Sequence, residues 1–206
     1  MSYVRAFIAV ELPEEIKQAI SSVSARMFSR LKGFSIKSVR TAHIHLTLLF
    51  LGDVIQSDLP QIKKGLGQVS SEFRSFDLRV TGAGVFPNYQ KPRVIWLGIQ
   101  EVGVGELSVL PELQVQIRAT IERVGLGVED ETYNPHLTIG RINQNTLQPD
   151  LNQIGEVVKS EKVGDLGVMH VNQFHLIRSE LTPSGPIYTN LATFSLGNQT
   201  KQNHII

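Results

Sequence analysis

The chain has 206 residues, of which 41% are hydrophobic and 19% charged, with 20 Lys and Arg against 19 Asp and Glu for a net charge of +1. These values describe an ordinary globular protein with room for one large domain or two small lobes, and they exclude a strongly basic protein that grips long nucleic acid through bulk charge, while leaving room for a local basic pocket. Cysteine is absent, which excludes disulfides and thiolate metal sites. No apolar run reaches membrane-spanning length, and the apolar stretch 1–10 is too short for a signal peptide, so a cytoplasmic protein without membrane association is expected.

In chain order, residues 4–10 (VRAFIAV) read as a buried strand. Pro13 then opens a helix with Glu14 and Glu15 in its first turn, and Ile16, Ala19, Ile20, Val23 and Met27 keep helical spacing up to Gly33. A strand follows over 44–51 and a helix over 61–69, weakened by Gly65 and Gly67. Residues 76–80 alternate as a strand, and Gly82, Gly84 and Pro87 then break the chain into a turn. The second half offers a buried strand over 93–99, a Pro-started helix over 111–124, a strand over 135–142 and a short helix over 151–158. A strand over 168–179, a last strand over 187–194 and a loose tail over 197–206 complete it.

This order repeats. A strand, a Pro-started helix and a His-Leu-Thr motif occur at Arg5, Pro13 and His45, and again at Arg93, Pro111 and His136. Strand and motif are 40 residues apart in the first half and 43 in the second, and the two motif histidines are 91 apart. The chain therefore reads as two diverged copies of one α+β unit, about 1–90 and 91–196, with exchange of strands between the lobes left open. A pseudo-two-fold arrangement of the copies brings the equivalent strands to one central groove.

The two motifs carry the chemistry. In a strand, residues two apart share a face, so His45 with Thr47, and His136 with Thr138, each present an imidazole beside a hydroxyl. One neutral imidazole can take a proton from water while a protonated one gives a proton to a departing alkoxide. The hydroxyls suit the non-bridging oxygens of a phosphate as charge builds there. A 2′,3′-cyclic phosphate, strained and with a neighbouring hydroxyl as leaving group, is a natural substrate for such a set. Against this stands the plainer reading that a histidine in an apolar strand is a core residue with a satisfied hydrogen bond, and a threonine there reflects strand propensity.

Other residues are less determined. Alternation puts His43 on the face of His45, where a third histidine would complete a zinc site; no Asp or Glu stands near at ligand spacing, so no metal is expected and His43 is assigned to the strand's entry, to the groove rim or to solvent. Arg141, five residues after His136, falls on the opposite face unless the strand ends near Gly140, in which case it can reach a phosphate or base. Phe50 holds the equivalent position after His45, as a stacking surface or a core residue. His170 and His175, also five apart, point to opposite faces, so at most one reaches the groove. Tyr188, beyond the turn-rich stretch 179–188, is a groove wall or a packing residue.

The combination resembles the two-histidine (2H) phosphoesterase superfamily and, within it, the RNA 2′,3′-cyclic phosphodiesterase family, also called 2′-5′ RNA ligase-like. The likeness rests on residues 5–13 (RAFIAVELP), 45–52, 84–87 with 92–98, 135–141 and 178–188. It implies a bilobal α+β fold with two antiparallel sheets lining a groove and helices outside. It implies metal-independent hydrolysis of RNA ends bearing a 2′,3′-cyclic phosphate, on tRNA fragments or oligonucleotides, to 2′-phosphomonoesters, and a reversible 2′-5′ ligation. By position, His45 is the proton donor, His136 the proton acceptor, Thr47 and Thr138 hold the phosphate, and Arg141 is the basic residue after the second motif. No cofactor is implied, and a monomer is expected. His43 departs from the family pattern. A non-catalytic module binding AMP-like mononucleotides in the same groove is the competing expectation.

Overall fold

The computed structural model describes residues 2–103, 108–127, 132–183 and 185–197. In chain order its elements are β1 (Tyr3–Glu11), α1 (Glu14–Arg30), β2 (Ile36–Ser38), β3 (His45–Ile55), α2 (Leu59–Glu72), β4 (Phe76–Phe86) and β5 (Val94–Val102). They continue with α3 (Val109–Arg123), β6 (His136–Ile142), α4 (Gln148–Ser160), β7 (Asp165–Val171), β8 (Gln173–Thr182) and β9 (Gly185–Ser195). The fold is α+β, built on two antiparallel sheets with orders β3-β1-β8-β9 and β2-β6-β5-β4-β7. Both sheets draw strands from before and after residue 90: β8 and β9 extend the sheet that β1 and β3 begin, and β2 and β4 join β5, β6 and β7.

Helices cover one face of each sheet. The pair α2 and α3 lies against the first sheet, and α1 and α4 against the second. Their apolar stripes supply the core: Ile16, Ile20, Val23 and Met27 from α1, Leu113, Ile117 and Ile121 from α3, and Leu151, Ile154 and Val158 from α4 are buried. Adjacent residues of β1 face opposite ways, so Ala6, Ile8 and Val10 join this core while Phe7 and Ala9 form a separate small cluster with Ile177 and Tyr188 on the other face. Covering on both faces explains why β1 reads as a continuous apolar run rather than an alternating one.

Several boundaries differ from the sequence reading, each for a physical reason. Strand β4 does not stop at Val80. It continues to Phe86 past a bulge at Gly82, whose φ of +72° suits glycine, and the bare Gly84 leaves room for the Trp96 ring lying across it. Helix α3 starts at Val109, ahead of Pro111, because the Glu101 carboxylate of β5 accepts the Val109 and Leu110 N–H groups at 2.8 and 3.0 Å and caps the helix from outside. The α2 helix runs through Gly65 and Gly67 because Ile62, Leu66 and Val69 are buried. The expected single strand over 168–179 is two strands in different sheets, β7 and β8, switching at Asn172. Of the expected tail, Gly197 bridges Arg74 in parallel; residues 198–206 lie outside the described ones.

Candidate active site

The two motif strands share an irregularity that decides which side chains reach the groove. Against β1, His45 pairs with Glu11, Thr47 with Ala9, Leu49 with Ile8 and Phe50 with Phe7, leaving Leu48 as an extra residue. Against β5, His136 pairs with Gly98, Thr138 with Trp96, Gly140 with Ile95 and Arg141 with Val94, leaving Ile139 extra. Each strand thus bulges at the residue after its threonine. A bulge reverses the parity of everything beyond it. Phe50 and Arg141 therefore return to the face of the histidines and threonines, Phe50 64% exposed and Arg141 exposed, while Leu48 with Leu49 and Ile139 with Gly140 are buried. The opposite-face expectation for Arg141 is corrected by this bulge: the strand runs on to Ile142.

On the first sheet, the His45 ring stacks on Phe7 at 4.6 Å and meets the edge of Tyr188 at 5.4 Å. His43 sits in a 3-10 turn ahead of β3, outside the strand alternation, with its ring 5.3 Å from Tyr188. Phe50 lies 6.1 Å from Phe7. On the second sheet, the His136 ring meets Phe86 edge-on at 4.9 Å, with Trp96 at 6.5 Å. Phe7, Phe86 and Trp96 escaped the sequence reading as groove residues; the missing information was cross-strand register, which sets Phe7 and Trp96 on strands beside a motif strand and Phe86 one strand further out, against Trp96.

Both imidazoles are held the same way. His45 Nδ1 is 2.8 Å from the His43 carbonyl oxygen and His136 Nδ1 is 2.7 Å from that of Asn134, each two residues upstream. A carbonyl only accepts, so Nδ1–H donates in both and Nε2 carries the exchangeable proton. Burial lowers the pKa of His45 to about 4, opposed by the bond to the His43 carbonyl and assisted by the charge of the His43 ring. Burial also lowers that of His136, opposed by the Asn134 carbonyl and assisted by the charge of Arg141. Among the described residues neither the Thr47 nor the Thr138 hydroxyl makes a hydrogen bond within the protein, and Arg141 forms no ion pair.

The half-sites adjoin. Cα atoms of β3 and β6 come within 8 Å of one another. The Arg141 charge acts on Tyr188 as well as on His136: burial raises the Tyr188 pKa and Arg141 works against it. A cavity of about 440 Å³ on the His45 side is lined by His43, His45, Tyr188, Glu11, Lys17 and Arg40 among others. A second, of about 500 Å³, is lined by Arg93, Val94, Arg141, Ile142 and Gln144.

His170 and His175 stay apart from this group, and strand parity between them does not apply because they belong to different sheets. His170 donates its Nδ1–H to the Asp77 carboxylate, 2.7 Å away, on the exposed side of β7. His175 is 3% exposed and is fixed by Thr193 and Asn190, both at 3.1 Å. Among the described residues no three His, Cys, Asp or Glu side chains converge as metal ligands, and no helix is long and apolar enough to cross a membrane.

The fold is one already seen in phosphoesterases. A Thermus thermophilus protein of solved structure superposes with a TM-score of 0.73 at 29% identity, covering 95% of this chain and 99% of its own. Escherichia coli LigT, solved with 3′-AMP, superposes at 0.74 with 23% identity over 95% and 99% of the two chains and supports the fold alone. In sequence, the RNA 2′,3′-cyclic phosphodiesterase of Methanothermobacter thermautotrophicus is 34% identical over 194 residues, 94% of this chain and 99% of the relative. That of Archaeoglobus fulgidus is 32% identical over 192 residues, 93% and 99%. The family model described as LigT like Phosphoesterase matches residues 10–96 and 107–188. The chain belongs to the LigT-like phosphoesterase family.

Proposed function

We propose that this protein hydrolyses 2′,3′-cyclic phosphodiester ends of RNA to 2′-phosphomonoesters. The observation that carries the reading is the paired geometry: two imidazoles fixed in the same tautomer, each beside a hydroxyl with no partner among the described residues, on adjoining strands next to a guanidinium that forms no ion pair among them. Binding alone does not call for two titrating groups. The names of the sequence relatives support the substrate class.

In the proposed reaction His136 starts neutral and His45 protonated. Nε2 of His136 takes a proton from water as the water oxygen attacks phosphorus. The bond from phosphorus to O3′ breaks on the opposite side, and His45 gives its Nε2 proton to O3′. Thr47, Thr138 and Arg141 stabilise the charge on the non-bridging oxygens. The near-symmetry of the site supports either order of acid and base; the family likeness selects this one. Phe50 and Tyr188 offer aromatic faces to bases, with His43 at the rim. The same steps with an RNA 5′-hydroxyl in place of water form a 2′-5′ linkage as the bond from phosphorus to O3′ breaks, and in reverse they cleave it.

The test is incubation of the protein with an oligonucleotide ending in 2′,3′-cyclic phosphate, in EDTA, with identification of the product isomer. Turnover to the 2′-phosphate is expected, falling by about 10²- to 10⁴-fold in His45→Ala and in His136→Ala. Full turnover in both variants, or loss of activity on chelation, sinks the mechanism. A 3′-phosphate product reverses the leaving group.

A further inference from the structure

The cavity on the His45 side contains two cations that the proposed reaction does not use. Lys17, on the first turn of α1, has a side chain 25% exposed, with Glu14 at 4.0 Å as its ion-pair partner. That is a loose helical i,i+3 pair, worth little. Arg40 stands immediately before the 3-10 turn that carries His43, and its side chain makes no hydrogen bond or ion pair among the described residues. An ammonium and a guanidinium lining one recess of about 440 Å³, large enough for a nucleotide, make an anion site in waiting.

The proposed chemistry says which anion it is. If His45 protonates O3′, the ribose bearing that oxygen lies on the His45 side, and its nucleoside extends into the cavity that His45 lines. The next phosphate along an RNA chain is attached to O5′ of that same ribose. We infer that Lys17 and Arg40 bind the 5′-phosphate of the terminal nucleotide, so that the site grips two phosphates: the reacting one between the histidines, and the phosphodiester that follows it. A free nucleoside 2′,3′-cyclic phosphate lacks the second group, so this pair of cations distinguishes RNA ends from mononucleosides. The inference rests on the proposed function for its placement of the ribose. Glu11, the one carboxylate lining the cavity among the described residues, opposes an anion there.

The experiment measures binding rather than turnover, so that it stands apart from the test of the reaction. Calorimetry of the full chain compares adenosine 2′,5′-bisphosphate with adenosine 2′-monophosphate at low salt. Wild type is expected to bind the bisphosphate roughly 10-fold or more tightly, as charge-assisted contacts to a second phosphate require. The ratio narrows as salt is raised. In Lys17→Gln/Arg40→Gln the ratio falls to about 1 while affinity for the monophosphate is unchanged, which also reports an intact fold. Glu11→Gln tightens the bisphosphate. A ratio near one in wild type, a ratio that survives in the double variant, or weaker bisphosphate binding in Glu11→Gln overturns the site. Absence of turnover on a cyclic end, by contrast, counts against the proposed reaction and leaves these affinities to be read on their own.

Discussion

Two histidines that hold different protonation states in the proposed reaction sit in nearly the same environment. Each gives Nδ1–H to a carbonyl two residues upstream, each packs against aromatic rings, and each has its pKa lowered by burial. In the free protein at neutral pH both are therefore neutral, and the pair lacks the proton that the proposed reaction gives to the leaving group. The sign of the pH dependence follows. As pH rises through the upper of the pair's two apparent pKa values, below 6.5, the last shared proton leaves and the acid is gone; as it falls through the lower, both rings charge and the base is gone. The kcat/KM profile is expected to be a bell whose alkaline limb lies below the ordinary histidine value. Bound cyclic phosphate, an anion, favours the protonated ring, so the kcat profile moves to higher pH. Initial rates across the range from about pH 4 to 9 decide it, and a kcat/KM optimum above about 7 contradicts the burial argument.

At the scale of elements, the sheets are placed by their helices, and the contact between α1 and α4 has an identifiable clamp. The Glu161 carboxylate, its side chain 5% exposed, accepts from Arg26 Nε at 2.8 Å and from Arg30 at 2.6 Å, tying the end of α4 to the last turns of α1. Glu161→Gln keeps one acceptor and turns an amide N–H₂ toward a guanidinium. The two arginines are about half exposed, so solvent screening limits the loss, and destabilisation of about 1–2 kcal/mol is expected in urea titration with catalytic rates preserved. The motif strands are the other lesson at this scale. Their bulges leave a trace in the sequence as two successive buried residues after each threonine, Leu48-Leu49 and Ile139-Gly140, where strict alternation calls for one. Alternation counted straight through that doublet puts Phe50 and Arg141 on the wrong face.

For the molecule as a whole, the decisive fact is that neither sheet is complete within one half of the chain. The first needs β8 and β9, the second needs β2 and β4. A fragment ending near residue 90 has β1 and β3 with an unpaired edge and an uncovered apolar face, and its complement has the same defect in mirror. Separate fragments 1–90 and 91–206 are expected to lack dispersed amide spectra alone and to recover them on mixing. Either fragment folding cooperatively by itself shows that the halves are independent units.

Local sequence was sufficient for what depends on short-range pattern. The apolar periodicity located the four helices, and β1, β3, β5 and β6 within a few residues, and the duplicated His-Leu-Thr motif picked out the strands that meet at the groove. It was insufficient wherever a distant partner decides the outcome. The early start of α3 depends on a carboxylate from β5, the length of β4 on a bulge and a tryptophan across the sheet, and the separation of β7 from β8 on which sheet each strand joins. Thus the two histidine–threonine pairs were legible from the chain alone as side chains sharing a face, since spacing of two in a strand fixes a face. That Phe50 and Arg141 stand beside them, that Phe7, Phe86 and Trp96 hold the rings, and that Lys17 and Arg40 line the cavity next to His45 came from tertiary structure, because bulges and cross-strand register are properties of pairs of strands.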